Sequence, residues 1–236
     1  MSSDARHPAS YSAIVVVVTT CVGRGSHLLH ALLTQIEQSE RTNETIVMCD
    51  GARPCPARLW TEPVGERSGQ MKNYWRALAC GVEAAHSRQL DQFLILEDDV
   101  ELCANALPYI ASSRVPAGMD FVTWFDGHAL PASAAPGFHV APIQRFICLQ
   151  AVTWPVTTAM RLLESERATR WSEPHRGDLL VRHILTPGSY AVHVPNLVEH
   201  RGAHSLCSPG QTLQGNRVAL NYPGPGFDAL SLDRGA

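Results

Sequence analysis

Short apolar runs that end in polar residues alternate with amphipathic stretches along most of the chain. Residues 13–18 form a continuous, largely β-branched run, which predicts a strand buried on both faces, as in a parallel sheet. A helix is predicted from Ser26, a suitable N-cap, to about Gln38, because leucine and isoleucine side chains recur on one side of it. The next apolar run, residues 45–49, predicts a second strand that ends at Asp50. Together these segments begin a strand–helix–strand unit.

The same alternation continues to residue 194. It predicts further strands at 58–61, 93–96, 121–125, 145–152 and 190–194, and further helices at 69–87, 103–112, 156–168 and 176–185. Residues 127–143 are rich in Ala, Pro and Gly and are predicted to form a mobile loop. Alternating strands and helices indicate an α/β fold with a mostly parallel central sheet flanked by helices.

Composition and charge narrow the class of protein. Apolar residues make up 45% and charged residues 17% of the chain, which excludes a disordered protein. The net charge of −3 argues against a protein that coats nucleic acid by bulk electrostatics. Seven cysteines without a Cys-x-x-Cys pair favour free thiols in a reducing compartment. Because residues 1–12 are polar and the run 13–18 is too short to cross a bilayer, we expect a cytoplasmic protein without a membrane span.

Four of the 22 acidic residues lie within five positions, directly after the apolar run 93–96. Glu97, Asp98 and Asp99 would repel one another at the end of a buried strand, and their charge is costly without a counter-ion. A hard divalent cation, Mn²⁺ or Mg²⁺, would remove this cost through oxygen ligands. The alternative is a solvated loop in which Asp99 caps the next helix.

Other polar residues also follow predicted strands. Asp50 and Asp126 each end a strand, where the ligands of open α/β sheets bind, but each precedes a glycine and could be a plain turn residue. His200 follows the last strand and lies four residues before His204, in a segment that contains Gly202. Its neutral imidazole could bind the same metal ion as the carboxylates. The alternative is a structural histidine that binds no ligand.

Taken in order, these motifs resemble those of metal-dependent nucleotide-sugar glycosyltransferases of the GT-A fold. Residues 14–20 match the family's first strand, Asp50 ends the second, and residues 94–100 (Leu-Ile-Leu-Glu-Asp-Asp-Val) are similar to the acidic DxD-type motif. Residues 195–205 look like the Pro-x-Leu-x-x-His-x-Gly-x-x-Ser stretch of the N-acetylglucosaminyltransferases that branch N-glycans. A hydrophobic segment that contains Gln150 also fits the order of elements in the family.

The similarity covers most of residues 13–207 in the order of elements. It implies one GT-A catalytic domain, with a nucleotide-binding half at 13–100 and an acceptor half at 101–207. We expect residues 1–12 to form a loose tail. The Gly/Pro-rich residues 208–236 are expected to form a C-terminal tail that wraps the surface.

The resemblance implies a role for each matching side chain. Asp99, the last carboxylate of the acidic motif, would bind Mn²⁺ or Mg²⁺ directly, and His200 would be the second protein ligand. Glu97 and Asp98 would contact ribose, metal-bound water or sugar. The other residues implied to bind the nucleotide-sugar donor follow the first two strands or begin the long helix: Thr19, Thr20, Arg24, Asp50, Arg67, Gln70 and Asn73.

The resemblance also implies a reaction. Asp178 occupies the position of the family's catalytic base, and would take the proton of an acceptor hydroxyl that attacks a nucleotide-diphosphate sugar, with UDP as the expected nucleotide and inversion as the expected outcome. The alternative is that Asp178 only stabilises the first turn of its helix.

The acceptor is left open among a glycan, a small metabolite, a peptide and a hydroxymethylated base of phage DNA. An Arg-rich, Lys-poor chain is typical of a bacterial or phage protein. A DNA acceptor would need a local basic face. The arginines of the second half that could supply it are Arg145, Arg161, Arg167, Arg170, Arg176, Arg182 and Arg201.

Two other functions fit the acidic cluster. A metal-dependent phosphoesterase or nuclease would use Glu97, Asp98 and Asp99 in a two-metal site, and would need further carboxylate or histidine ligands. A non-catalytic nucleotide-binding module would bind nucleotide without turnover, and its binding would survive the loss of Asp178. A dinucleotide-binding protein is disfavoured, because the Gly-Arg-Gly of residues 23–25 lacks the third glycine of that motif.

Overall fold

A computed structural model describes residues 13–21, 26–39, 44–50, 69–147, 149–171, 176–201 and 218–234 of the chain. The strands and helices, in chain order, are β1 (Val15–Cys21), α1 (Ser26–Gln38), β2 (Glu44–Asp50), α2 (Gln70–Ser87), β3 (Gln92–Glu97), β4 (Val100–Leu102), α3 (Ala106–Ser112), β5 (Val122–Thr123), β6 (Gly137–Pro142), β7 (Ala151–Pro155), α4 (Val156–Leu163), α5 (Glu166–Arg170), α6 (Gly177–Leu185), β8 (Ser189–Val194) and β9 (Val198–His200). Short 3₁₀ turns lie at Ile143–Arg145 and Ala229–Arg234.

Seven of these strands form one mixed sheet in the order β2–β1–β3–β7–β5–β8–β6. β1 pairs in parallel with β2 and β3, and β5 pairs in parallel with β8, whereas β7 and β6 run opposite to their neighbours. Five of the seven strands therefore share one direction, which confirms the predicted α/β fold with a mostly parallel sheet. β4 and β9 form a separate antiparallel pair.

Helices cover both faces of the sheet, so its central strands are buried. Val16 and Val18 of β1 face the side covered by α1 and α3, and Val15 and Val17 face the side covered by α2. The run of valines is therefore apolar at every position instead of every second one. Helix α2 comes close to β3 because residue 81 is a glycine: a Cβ atom there would lie 2.3 Å from the ring of Phe93.

Helix α1 begins and ends where the sequence predicts, but two predictions around residue 140 are wrong. The loop predicted at 127–143 contains the edge strand β6, because Phe138 packs its ring against His193 at a centroid distance of 5.0 Å. The strand predicted at 145–152 begins only at Ala151, after a 3₁₀ turn. Pairing with β3 sets its true position, because Ala151 lies opposite Leu96 in the ladder.

Smaller corrections concern the lengths of elements. The helix predicted at 156–168 is divided into α4 and α5, because the side chain of Ser165 accepts a hydrogen bond from the backbone N–H of Arg167 and caps a new helix. The helix predicted at 103–112 begins at Ala106, and the strand β4 before it was not predicted. The strand predicted at 121–125 is shortened to β5. The strand predicted at 58–61 lies outside the described residues.

Residues 218–234, here called the C-terminal strap, lie against β4 and α3. The backbone N–H of Ala104 donates to Pro225 O at 2.9 Å, and that of Ala229 donates to Ala104 O at 2.9 Å. Ala219 and Ala229 are buried in the core on this face of the sheet. The predicted division into a nucleotide-binding half, an acceptor half and two tails stays a prediction. Among the described helices, none combines the length and the apolar character needed to cross a membrane.

Candidate metal centre at the carboxyl edge of the sheet

The acidic cluster lies at the end of β3 and in the turn that leads to β4, and it is buried. Glu97, Asp98 and Asp99 are only 4%, 0% and 1% exposed, so the alternative of a solvated loop is wrong. Neighbouring strands hold the turn: the N–H of Asp98 donates to Thr19 O at 3.0 Å, and the N–H of Glu97 donates to Gln150 O at 2.8 Å. Strand pairing therefore keeps three carboxylates at a position where water does not solvate them.

His200 reaches the acidic cluster through the pairing of β4 with β9. In that ladder His200 lies opposite Val100, the residue that follows Asp99. The backbone N–H of Arg201 donates to Asp99 O at 2.7 Å, which extends the pairing by one step. As a result His200 Nε2 lies 3.1 Å from Asp99 Oδ2, although the two residues are 101 positions apart in the sequence.

Glu97, Asp99 and His200 together form a group that could hold a metal ion. Each offers one ligand atom, these atoms lie within 4.8 Å of one another, and all three residues are buried. Glu97 Oε2 is buried and has no hydrogen-bond partner among the described residues, so a bound cation would satisfy it. Two carboxylates and one imidazole are a donor set that suits Mn²⁺ and is compatible with Mg²⁺. The residues present therefore fit the divalent cation that the sequence predicts.

Glu199 supports the backbone at His200. Its Oε1 accepts hydrogen bonds from the N–H of His200 at 2.8 Å and from the N–H of Ala219 at 3.1 Å. One carboxylate thus ties His200 to the C-terminal strap. No role was predicted for Glu199, and its position before the histidine in the sequence would have been the only signal.

A second link to the strap lies beside the first, because Glu101 is directly opposite Glu199 in the β4–β9 ladder. Arg201 forms an ion pair with Glu101, which raises the pKa of the arginine. The Tyr222 hydroxyl of the strap donates to Glu101 Oε2 at 3.2 Å. Two polar contacts, through Glu199 and Glu101, therefore link the β4–β9 pair to the strap.

The two threonines predicted to bind the nucleotide lie at the carboxyl end of β1 and are buried. The Thr20 hydroxyl donates to Asp98 Oδ2, and the Thr19 hydroxyl donates to Leu96 O at 3.3 Å. Both side chains thus contact β3 or the acidic turn directly. Their predicted contact with the nucleotide stays a prediction.

Asp50 and Gln70 lie at the same edge of the sheet, where β2 ends and α2 begins. Asp50 Oδ2 accepts a hydrogen bond from the N–H of Gly69 at 3.0 Å, and Gln70 Nε2 donates to Glu97 Oε1 at 2.9 Å. The first turn of α2 therefore links the end of β2 to the acidic cluster. The predicted roles of Asp50 and Gln70 in donor binding stay predictions.

Asn73, also on α2, holds two strand ends together. Its Nδ2 donates to Thr20 O at 3.1 Å and to Met48 O at 3.2 Å, so it connects β1 with β2. This is a structural contact, and the predicted contact with the donor stays a prediction. Arg24 and Arg67, the remaining residues predicted to bind the donor, lie outside the described residues.

Asp178 lies in the first turn of α6, which packs against the start of α2. A Cβ atom on Gly177 would lie 3.0 Å from Leu149 Cδ1 and 3.9 Å from Met71 Cγ. The side chain of Asp178 is 15% exposed, and its Oδ1 lies 3.4 Å from Arg176 Nε. This end of α6 is thus near the residues that flank Gln70 and Gln150, both of which contact Glu97. Asp178 stays the predicted base, with a first-turn acid as the alternative.

Asp126, the other acid that ends a predicted strand, is a turn residue. Its carboxylate accepts hydrogen bonds from the backbone N–H groups of Ala129 and Leu130 at 2.9 and 3.1 Å. These bonds occupy the carboxylate in the turn after β5. Asp126 does not belong to the group of possible metal ligands.

Several of the arginines that could form a basic face are engaged in ion pairs. Arg161 pairs with Asp120 at 2.6 Å, and Arg170 pairs with Glu166 at 3.5 Å. Arg176 and Arg201 pair with acids at the candidate site, as described above. Each pair cancels one positive charge, so these four side chains add little net charge to the surface.

Comparison with known proteins finds likeness among solved structures only. No family model and no curated protein matches the chain. Among solved structures, the chain is similar to the "crystal structure of a glycosyltransferase involved in the glycosylation of the major capsid of PBCV-1", with 12% sequence identity and a TM-score of 0.41. The similarity covers 77% of this chain and 82% of that chain. At this level of similarity, a function for this chain has to come from its own side chains.

Proposed function

We propose that this chain is a divalent-metal-dependent glycosyltransferase of the GT-A fold, which transfers a sugar from a nucleotide-diphosphate sugar to an acceptor hydroxyl. One observation carries the proposal: Glu97, Asp99 and His200 bring buried ligand atoms within 4.8 Å of one another at the carboxyl edge of the sheet. The same residues belong to the two sequence motifs that resemble this family, in the same order along the chain. UDP is the expected nucleotide, and inversion the expected outcome.

The proposed metal site would act on the diphosphate of the donor. Asp99 and His200 would hold Mn²⁺ or Mg²⁺, with Glu97 beside them. The bound cation would neutralise the negative charge that develops on the nucleoside diphosphate as it leaves. Burial strengthens this effect, because charges interact more strongly where water is excluded.

The nucleotide would lie over the ends of β1 and β2. Asp50 would meet the base or the ribose, and Thr19 and Thr20 would approach the nucleotide from the end of β1. Gln70, at the start of α2, contacts Glu97 and would line the same pocket. This position agrees with the general rule that ligands of open α/β sheets bind outside the carboxyl ends of the strands.

Asp178 would act as the base. The acceptor hydroxyl would attack the anomeric carbon from the face opposite the leaving diphosphate, and the Asp178 carboxylate would accept the hydroxyl proton. The packing of α6 against α2 supports this assignment, because it brings the first turn of α6 near the residues that flank Gln70 and Gln150, both of which contact Glu97. Four of the seven arginines that could form a basic face are engaged in ion pairs, so we propose a glycan, a small metabolite or a peptide as the acceptor class.

The two alternative functions make different demands on the site. A two-metal phosphoesterase or nuclease needs ligands for a second cation, and among the described residues only Glu97, Asp99 and His200 form a group of three or more possible ligands. A nucleotide-binding module would lack turnover. The glycosyltransferase proposal therefore accounts for the single group of possible metal ligands among the described residues and also gives Asp178 a role.

A donor screen tests the proposal. UDP- and GDP-sugars are added with and without Mn²⁺, and thermal stability and released nucleotide are measured. We expect at least one sugar nucleotide to stabilise the protein only with the metal, and to be turned over when an acceptor is present. If no sugar nucleotide stabilises the protein with any divalent metal, the proposal is wrong.

Two variants then separate the proposed roles. Asp99→Ala is expected to lose metal-dependent donor binding. Asp178→Ala is expected to keep donor binding and to lose transfer by about a hundredfold or more, because a general base contributes at least this much. Transfer at the wild-type rate in Asp178→Ala would exclude this residue as the base.

A further inference from the structure

Gln150 lies beside Glu97, one of the three possible metal ligands. The N–H of Glu97 donates to Gln150 O at 2.8 Å, one step beyond the register that pairs Leu96 with Ala151. In an antiparallel ladder, residues that lie directly opposite each other project their side chains to the same face. The side chains of Gln150 and Glu97 are therefore neighbours on the face covered by α2.

The carboxamide oxygen of Gln150 is buried without a donor. The residue is 5% exposed, and Oε1 has no hydrogen-bond partner among the described residues. Gln35 shows the ordinary arrangement, since its Oε1 accepts a hydrogen bond from the N–H of Leu102 at 3.1 Å. A buried acceptor without a donor is unfavourable for folding, which is a reason to expect that a ligand completes the site.

The sheet order indicates which part of a ligand would reach Gln150. Strands β2, β1, β3 and β7 are neighbours in this order in the sheet. Asp50 ends β2, the possible metal ligands lie at the end of β3, and Gln150 immediately precedes β7. Neighbouring strands are roughly 4.8 Å apart, so the ends of β2 and β7 are about 14 Å apart. A nucleotide-diphosphate sugar laid along this edge has its diphosphate at β3, and its sugar then lies at β7.

The neighbourhood of Gln150 also agrees with a sugar site. Leu149, the preceding residue, packs against Gly177 at the start of α6, the helix that carries Asp178. Gln150 therefore lies between the metal-binding group and the helix of the proposed base. The anomeric carbon of a transferred sugar would have to be held between the possible metal ligands and Asp178.

We propose that Gln150 Oε1 accepts a hydrogen bond from a ring hydroxyl of the transferred sugar, and so selects donors by their sugar. This inference rests on the proposed function. It assigns Gln150 to the sugar and leaves the nucleotide to the residues at β1 and β2. The ligand class is a hydroxyl-bearing sugar attached to a nucleoside diphosphate.

The substitution Gln150→Met tests this assignment, because it keeps the length of the side chain and removes the acceptor. The probes are UDP alone and UDP-glucose, UDP-galactose and UDP-N-acetylglucosamine, each with Mn²⁺, and binding is measured by calorimetry. For the UDP-sugar that binds the wild-type protein best, we expect about tenfold weaker binding, since one hydrogen bond is lost. Binding of UDP is expected to stay within about twofold, because UDP lacks the transferred sugar that Gln150 would contact.

Gln92→Met is the matched control. Gln92 is a buried glutamine at the other end of β3, and its Nε2 donates to Ser113 O at 2.7 Å. This variant is expected to bind UDP and the UDP-sugar like the wild-type protein. Gln150→Met is expected to unfold at the wild-type temperature or above it, since the substitution removes a buried acceptor without a donor, whereas Gln92→Met should unfold at a lower temperature.

The outcomes separate this inference from the proposed function. If the wild-type protein binds none of the UDP- or GDP-sugars, the proposed function fails and the inference with it. If the wild-type protein binds a UDP-sugar but Gln150→Met binds it equally well, only the inference fails. Equal weakening of UDP and UDP-sugar, or a Gln150→Met protein that does not fold, would also overturn it, because Gln150 would then support the structure instead of the sugar.

Discussion

Two buried histidines, seven residues apart in the sequence, lie in very different surroundings. His200 lies beside the carboxylate of Asp99 at 3.1 Å, in a group of three possible metal ligands. His193 lies among aromatic rings, with ring centroids 5.1 Å from Trp124 and 5.0 Å from Phe138. Burial is therefore no guide to function by itself, and the neighbouring side chains decide what each imidazole can do.

The hydrogen bonds of His193 explain why it is structural. Nδ1 lies 2.7 Å from Pro195 O, which can only accept, so Nδ1 carries the proton. Nε2 then accepts from the Tyr109 hydroxyl at 3.0 Å. Both ring nitrogens are used, and burial lowers the pKa of His193 to about 4. The neutral ring is a satisfied part of the core, whereas His200 lies beside carboxylates that a cation could bridge.

The largest expected effect concerns the charge of the proposed metal site. Asp99→Asn keeps the shape of the side chain but removes the charge of a proposed ligand, so Mn²⁺ affinity should fall about a hundredfold or more. Calorimetric titration with Mn²⁺ measures this. Asp126→Asn is the matched control, because Asp126 is also a buried acid after a strand but binds backbone N–H groups in a turn. Equal losses in the two variants would contradict the assignment of Asp99.

The next prediction compares the loss of each histidine. His200→Ala is expected to lower Mn²⁺ affinity between about tenfold and a hundredfold, through the loss of a nitrogen ligand. His193→Ala is expected to leave Mn²⁺ affinity unchanged and to lower the free energy of unfolding, since it leaves a cavity among aromatic rings. The same titration, with urea unfolding beside it, distinguishes the two. A loss of Mn²⁺ affinity in His193→Ala would show that the two regions are coupled.

A third prediction uses pH. The pKa of His193 is lowered in the folded protein to about 4 from an ordinary 6.5, so the unfolded chain takes up the proton first as pH falls. Neutral His193 contributes fully to the stability of the folded protein above about pH 6.5, and this contribution is lost as pH falls towards about 4. Between pH 7 and pH 5 the loss should be about 2 kcal/mol. Urea unfolding of the wild-type protein and of His193→Gln measures it, because the difference between their pH profiles isolates this residue. Parallel profiles would contradict the prediction.

The smallest expected effects come from two tyrosine hydroxyls. Tyr222→Phe removes the hydrogen bond to Glu101, and Tyr109→Phe removes the donor to His193. Each should lower the free energy of unfolding by about 1 kcal/mol, the usual net value of such a bond. Only Tyr222→Phe is expected to weaken Mn²⁺ binding as well, by about two- to threefold, since Glu101 belongs to β4, which follows Asp99 and pairs with the strand of His200. If Tyr109→Phe weakens Mn²⁺ binding equally, the comparison between the two regions fails.

Local patterns in the sequence were sufficient for much of the fold. The spacing of apolar residues predicts α1 from Ser26 to Gln38, and the valine run predicts β1, because helical and strand periodicities repeat within a few neighbouring residues. The acidic cluster could also be read locally, as polar residues directly after a buried strand. β6 could not, because Ala, Pro and Gly hide a strand whose stability comes from Phe138 packing on distant aromatic residues.

The sequence by itself determined an α/β fold and a group of acids at the end of its central strand. The tertiary structure decided that Asp99 meets His200, that Gln150 faces Glu97, and that His193 is excluded from the site. Each of these facts depends on the pairing of strands far apart in the chain. Such pairing sets which side chains share a face and how deeply they are buried, and neither property can be read from the residues next to them in the sequence.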